Sequence, residues 1–226
     1  MSRLATFFLL IVAPGLAILL ALLGLETLHS NLLGWFLFLT GIVYAAGIAI
    51  DAYVRKEEFW ESKQSGDNFQ EEQGDRSFWL IALGIMAAFF LSPIEYLYFA
   101  TFQLDTFWAE AIGVELVILG SILFVWTRQT LGRHYSGHVS VKKDQGLVQS
   151  GPYRIIRHPA YSGYLFIALG LALGYSSLLG FASTLLILLP ATVYRIRVED
   201  RMLAEHFGTQ FEEYARKKKR LIPGIW

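Results

Sequence analysis

The chain has 226 residues, 54% of them hydrophobic and 17% charged, with a formal net charge of zero and a mean hydropathy of +0.45. A soluble globular domain averages about 45–50% apolar and about 25% charged residues, and here the apolar excess sits in long runs, which excludes a soluble domain with a large core. The absence of cysteine excludes disulfides, thiolate metal sites and cysteine nucleophiles.

A membrane-crossing helix needs ~20 apolar residues, and six segments meet or approach that length: Leu4–Leu25, Leu32–Val54, Ser77–Ala100, Phe107–Trp126, Ala160–Tyr175 and Ser177–Tyr194. The runs are continuous rather than alternating, which argues against a transmembrane β-barrel. The first run is too long for a signal-peptide core and lacks a small-residue cleavage site, so it reads as a retained span, kinked at Pro14-Gly15. Between spans two and three, Arg55–Arg76 carries seven Asp/Glu against four Lys/Arg and reads as a solvated connection. Glu115 lies inside span four, where an ionisable residue is a functional candidate or an interhelical hydrogen-bond partner. Asp51 and Glu95 fall near span ends, where they reach water. From Thr127 to Gly151 the chain is polar and glycine-punctuated, with Val139-Ser140-Val141 briefly extended. The last two spans share a bend at Gly174-Tyr175-Ser176-Ser177 and form a helical hairpin over 160–194. Val198–Arg220 reads as an amphipathic helix, because Val198, Met202, Leu203, Phe207, Phe211 and Tyr214 recur at three- and four-residue steps.

All 19 Lys and Arg fall on one side of this six-span arrangement. The positive-inside rule then places both termini and both large loops in the cytoplasm. The Lys217-Lys218-Lys219-Arg220 run is expected to meet anionic lipid. The expected fold is therefore an all-α, polytopic membrane bundle of about six transmembrane helices with a C-terminal amphipathic helix. Residues 1–126 form a four-span scaffold and residues 127–226 a functional half, integrated into one domain.

Chemistry concentrates in that second half. Arg157 and His158 precede Pro159, which suits the first turn of a helix because proline needs no N–H there. The free N–H groups of that helix start favour an anion, and Arg157 can clamp a carboxylate in bidentate fashion. His158 and Tyr161 are three residues apart and share a face. Gly163 lets another helix or a ligand approach. The bland alternative is interfacial anchoring, since Arg, His and Tyr at a helix end often snorkel to the headgroups. A second cluster, Arg195-Ile196-Arg197-Val198-Glu199-Asp200, ends the hairpin. Arg195 and Glu199 are four apart; as a solvated pair they contribute only about 0.3–0.5 kcal/mol. The hairpin is short, so its two ends must be neighbours, and Arg157, His158, Arg195 and Glu199 are expected to converge. Both signs of charge in one pocket suit a zwitterionic, amino-acid-bearing ligand. His134 and His138 are spaced like metal ligands, but no carboxylate or cysteine accompanies them, and no metal site is expected.

Thr130-Leu131-Gly132-Arg133, then Leu147 through Gly163 with Arg154-Ile155-Ile156-Arg157-His158-Pro159-Ala160-Tyr161-Ser162-Gly163, then Arg195, Glu199-Asp200, Phe207-Gly208 and Ile222-Pro223-Gly224 resemble the signature of the isoprenylcysteine carboxyl methyltransferase family. Phospholipid methyltransferases share its core. The resemblance covers residues ~127–226. It implies an integral membrane enzyme that uses S-adenosylmethionine, yields S-adenosylhomocysteine and lacks a Rossmann domain; no Gly-x-Gly-x-x-Gly is present. By that resemblance Gln145, Leu147, Tyr153, His158, Pro159, Tyr161, Gly163, Glu199 and Asp200 line the cofactor pocket, which the C-terminal helix covers. The family often has histidine where this chain has Gln145, and its second acid is Asp200 rather than glutamate.

A methyl group on a sulfonium is already activated, so the enzyme must align an in-line attack and exclude water. A carboxylate acceptor is ionised at neutral pH and needs only an orienting cation, for which Arg157 and Arg195 are the candidates. An amine acceptor needs a base, and Glu199 is the nearest. The expected partners are the bilayer and a hydrophobic or lipidated acceptor entering sideways from it, with the site at the cytoplasmic face and no nucleic acid. The alternatives are a phospholipid or small hydrophobic N- or S-methyltransferase, and a transporter or scaffold subunit. A transporter should show paired repeats or matching broken spans; Pro14 and Pro93 have no matching halves.

Overall fold

The computed structural model describes residues 13–43, 70–71, 77–99, 106–132, 140–141 and 146–226. Gln145, His134, His138, Asp51 and all but two residues of the acidic connection lie outside the described residues. Helix α1 (Ala13–Thr27) is followed by α2 (Leu33–Val43), α3 (Ser77–Tyr98), α4 (Thr106–Leu131) and α5 (Pro159–Gly174). Helix α6 runs from Leu178 to Phe207 and α7 from Thr209 to Lys217. Two two-residue strands, β1 (Gln70–Glu71) and β2 (Ser140–Val141), pair antiparallel, which places the extended step expected near Ser140.

Among the described residues, three helical stretches, Trp79–Tyr98, Phe107–Leu131 and Leu178–Phe207, are long and apolar enough to cross a membrane. Gly15–Thr27, Leu33–Val43 and Pro159–Gly174 are apolar but shorter. At 1.5 Å per residue, α5 spans about 24 Å, somewhat less than the ~30 Å hydrocarbon core.

Small residues set the packing that matters for the site. Helices α4 and α5 meet along a glycine seam. A Cβ on Gly113 would lie 2.7 Å from the Gly170 carbonyl, and one on Gly120 2.7 Å from the Gly163 carbonyl. Without a hydrophobic force between helices in lipid, such close backbone approach is a main source of association. Leu20, Leu33, Leu37, Val117, Ile167, Leu171 and Tyr175 form one core cluster at the end of the bundle near the α5–α6 turn. Ile81, Ala88, Ala168, Leu188 and Ala191 form a second between α3, α5 and α6, with Tyr161 packed against it.

The hairpin turns where the bend requires it: α5 ends at Gly174, Ser176 takes φ +50°, and Ser177 caps α6 by accepting from the Gly180 N–H at 2.8 Å. Glu95, expected in water, is instead 4% exposed. Its carboxylate accepts from Ser177 Oγ at 2.5 Å and from the Leu179 N–H at 2.8 Å. The helix start supplies unsatisfied N–H groups and a positive dipole end, which is why an acid is stable there.

Helix α6 contains a π-turn over Thr184–Leu188, which ends two residues before Pro190. Proline lacks an N–H and crowds the preceding turn. The π-turn absorbs that mismatch and resets the phase of Thr192, Arg195 and Glu199 further along. The amphipathic helix expected over Val198–Arg220 is two helices, because α6 extends to Phe207 and Gly208 breaks the path at φ +52°. Helix α7 then buries Phe211 and Tyr214.

Candidate active site

The segment before α5 is positioned by its turn. Gly151 takes φ +56°, and a Cβ there would lie 2.4 Å from Thr130 Oγ1, so only glycine fits. A single 3-10 turn, Gly151–Arg154, follows. The Tyr153 carbonyl accepts from the Tyr214 hydroxyl at 2.8 Å, tying the turn to α7. Leu147 sits half-buried on the stretch leading into this turn.

The C-terminal tail then runs beside the start of α5. The Arg157 N–H donates to the Lys219 carbonyl at 2.8 Å and the His158 N–H to the Arg220 carbonyl at 2.9 Å, while Ile156 and Lys219 form a parallel bridge. Ser162 Oγ donates to the Leu221 carbonyl at 2.8 Å. Pro159 is buried as the first residue of α5.

Four residues of the two sequence clusters meet as expected. His158, 3% exposed, donates from Nε2 to Asp200 Oδ1 at 2.8 Å, and its Nδ1 lies 3.6 Å from Glu199 Oε2. The Tyr161 hydroxyl donates to Glu199 Oε2 at 3.0 Å and accepts from Arg195 Nε at 3.2 Å. Arg157 Nη1 donates to Asp200 Oδ2 at 3.1 Å. Arg195 is 4% exposed, so a solvated surface pair does not describe it. Burial disfavours a charged His158, but its hydrogen bonds with Asp200 and Glu199 outweigh that and hold its pKa above the usual 6.5.

The two acids divide the work. Asp200 is the hub: it accepts from Arg157, His158 and also Arg220, whose Nε lies 2.8 Å from Oδ2. The Glu199 side chain stays 30% exposed against 10% for Asp200. Gly163 faces α4 rather than the cluster: a Cβ there would sit 2.9 Å from the Gly120 carbonyl and 3.3 Å from Phe124. Of the two neighbours open to it, a helix holds the place.

Arg220 was missed as a site residue. In sequence it ends a Lys/Arg run that reads as lipid contact; in the fold it turns inward, and its guanidinium also stacks 5.1 Å from the Trp226 ring. Among the described residues Arg157 Nε, which is buried, has no hydrogen-bond partner.

An apolar groove of about 470 Å³ lies beside this cluster. Leu165, Phe166 and Leu169 of α5 line it with Leu185, Leu189 and Val193 of α6, and Leu221, Ile222 and Trp226 of the tail border it. Arg197, exposed, stands at its polar end. The tail thus serves both sites, with Arg220 on the ionic cluster and Leu221 on the groove.

A buried cluster of charged side chains thus stands beside an apolar groove at the start of apolar helices. The family model for phospholipid methyltransferases matches residues 108–210. The chain is 31% identical over 182 residues to the protein-S-isoprenylcysteine O-methyltransferase of Schizosaccharomyces pombe, covering 74% of this chain and 75% of that protein. It is 28% identical over 151 residues to protein-S-isoprenylcysteine O-methyltransferase B of Arabidopsis thaliana, covering 65% and 77%. The solved structure of the eukaryotic intramembrane Ras methyltransferase, isoprenylcysteine carboxyl methyltransferase, shares the fold with a TM-score of 0.58 at 24% identity, over 92% of this chain and 73% of that one. The chain belongs to the protein-S-isoprenylcysteine O-methyltransferase family and is a membrane methyltransferase.

Proposed function

We propose that this enzyme transfers the methyl group of S-adenosylmethionine to the carboxylate of an isoprenylated or similarly lipid-like acceptor. The observation that carries this reading is the junction of a mixed-charge cluster with an apolar groove through one short tail segment. The donor set fits the cofactor's amino-acid end. Arg157 Nε is a buried donor for its carboxylate, and the partly exposed Glu199 is an acceptor for its ammonium. His158, Tyr161 and Asp200 hold these two in place, and Tyr153 and Leu147 complete the expected lining. S-adenosylmethionine supplies an activated methyl group, so the protein's task is alignment and exclusion of water.

The acceptor's hydrocarbon lies in the groove between α5 and α6, entered from the bilayer. Its carboxylate needs no base. Arg195, fixed by Tyr161, orients it from the cluster side, and Arg197 is a further cation lining the groove. The charge distribution supports six crossings, with both termini and the site on the cytoplasmic side. The phospholipid methyltransferase match supports a second reading, methylation of a lipid amine. That chemistry needs a base at Glu199, so its rate would fall as this carboxylate is protonated or replaced.

Calorimetry with S-adenosylhomocysteine tests the cofactor assignment. Saturable binding by the wild type, lost in a Glu199→Gln variant that keeps its melting behaviour, is the expected result. Absence of binding by folded wild-type protein in both detergent and nanodiscs would overturn it.

A further inference from the structure

We infer, on the reading of the groove given above, that Trp226 couples the two halves of the site: an acceptor chain in the groove tightens the hold on the cofactor, and the cofactor tightens the hold on the acceptor. Trp226 touches both halves. Its side chain borders the groove with Leu221 and Ile222, and its ring lies 5.1 Å from the Arg220 guanidinium. Arg220 Nε donates to Asp200 Oδ2 at 2.8 Å, and the same carboxylate holds Arg157 and His158. Hydrocarbon and ionic hub are therefore joined by an indole ring, a guanidinium and a carboxylate, each against the next.

The backbone of the tail is shaped to bring the indole there. The Arg157 and His158 N–H groups hold the Lys219 and Arg220 carbonyls, and Ser162 Oγ holds that of Leu221. Beyond Leu221 the chain turns back on itself, with Gly224 at φ +79°. The Trp226 carbonyl closes this turn by accepting from the Leu221 N–H at 2.9 Å and the Ile222 N–H at 3.2 Å. With the main chain pinned on both sides, the side chains of Arg220 and Trp226 are the parts free to answer a ligand. The Arg220 side chain is 33% exposed and Trp226 is half-buried, so both still meet water.

That residual water is what an acceptor changes. A guanidinium over an indole face is held weakly when wet and more strongly when desolvated, and an ion pair strengthens as the local dielectric falls. A hydrocarbon chain packed on the groove side of Trp226 excludes water from the ring and orders it over Arg220. Arg220 is then held on Asp200, and Asp200 keeps Arg157 and His158 where the cofactor's amino-acid end binds. Linkage makes the effect reciprocal: whatever factor the acceptor adds to cofactor affinity, the cofactor adds to acceptor affinity. A leucine at this position would line the groove equally well, but it offers the guanidinium no π face and would pass nothing on.

The test measures S-adenosylhomocysteine affinity by calorimetry on the full chain in nanodiscs, with and without N-acetyl-S-farnesylcysteine. No methyl group is available in that mixture, so both ligands stay bound unchanged. In the wild type the farnesyl compound should tighten S-adenosylhomocysteine binding about fivefold or more. Trp226→Phe, which keeps a ring over Arg220, should retain most of that gain. Trp226→Leu should bind S-adenosylhomocysteine alone as the wild type does, which shows that it is folded, and should gain nothing from the farnesyl compound. Ligands that bind the wild type independently, or a gain of the same size in Trp226→Leu, would overturn the inference. Turnover with S-adenosylmethionine separates this failure from a failure of the groove reading: a wild type that methylates the farnesyl compound without coupling refutes the role of Trp226 alone, and one that does not methylate it refutes both.

Discussion

At the scale of single residues, Asp200 and Glu199 separate stability from binding. Asp200 is 8% exposed and accepts from two arginines and a histidine. Replacing one member of such a buried group strands its partners, at a cost of about 3–5 kcal/mol. Asp200→Asn should therefore lower the melting temperature sharply, while Glu199→Gln should leave it nearly unchanged and abolish cofactor binding. Equal melting temperatures for the two variants would refute this division. His158 adds a pH signature. Its folded pKa is raised by Asp200 and Glu199, so its stabilising contribution is fully present below about pH 6.5, the unfolded value, and is lost as pH rises through the raised folded value. Melting temperature should fall across that window in the wild type, and His158→Gln should flatten the fall. A profile unchanged by the substitution would show that another group titrates.

At the scale of elements, the α4–α5 seam holds the start of α5 where the cluster needs it. Gly120→Leu would drive a side chain into the Gly163 carbonyl and Ile167. Overpacking of this kind costs about 1–3 kcal/mol, and here it should also weaken cofactor binding by shifting His158 and Tyr161; thermal unfolding and calorimetry on one sample read both. Much of this level was legible in sequence. Apolar run length marked the helices, the bend at Gly174–Ser177 marked the hairpin, and the hairpin's shortness pointed to the convergence of Arg157, His158, Arg195 and Glu199. What was not legible depends on long-range pairing. Nothing near Arg220 distinguishes it from the lysines before it, because its partner strand lies some sixty residues earlier, at Arg157 and His158. Glu95 misled for the opposite reason: an acid near a span end reads as wet, and only the return of the hairpin shows that it caps α6. The break at Gly208 did carry a local signal, a glycine inside a helical pattern, outweighed by the regular apolar spacing on either side.

At the scale of the whole molecule, the C-terminal tail closes the enzyme. It pairs with the entry to α5, reaches Asp200 through Arg220 and borders the groove through Leu221 and Ile222. Arg220→Ala should cost about 1.5–3 kcal/mol, as a hydrogen bond to a charged group does, less than loss of Asp200 because Arg220 is partly exposed, whereas Lys217→Ala, on an exposed position, should cost almost nothing. Loss of the tail's clasp should also raise the rate at which bound S-adenosylhomocysteine escapes. Similar dissociation rates for Arg220→Ala and wild type would show that the tail is packing alone.

The central claim is that one junction of charge and hydrocarbon serves carboxyl methylation. The direct test incubates the purified enzyme in nanodiscs with S-adenosylmethionine labelled in its methyl group and an N-acetyl-S-farnesylcysteine acceptor, then treats the product with alkali. A methyl ester releases its label as volatile methanol, and N- or S-methyl products do not. Base-labile label that requires Glu199 and the farnesyl chain is the predicted result. Label that resists alkali, or none transferred by protein that binds the cofactor, would contradict the account.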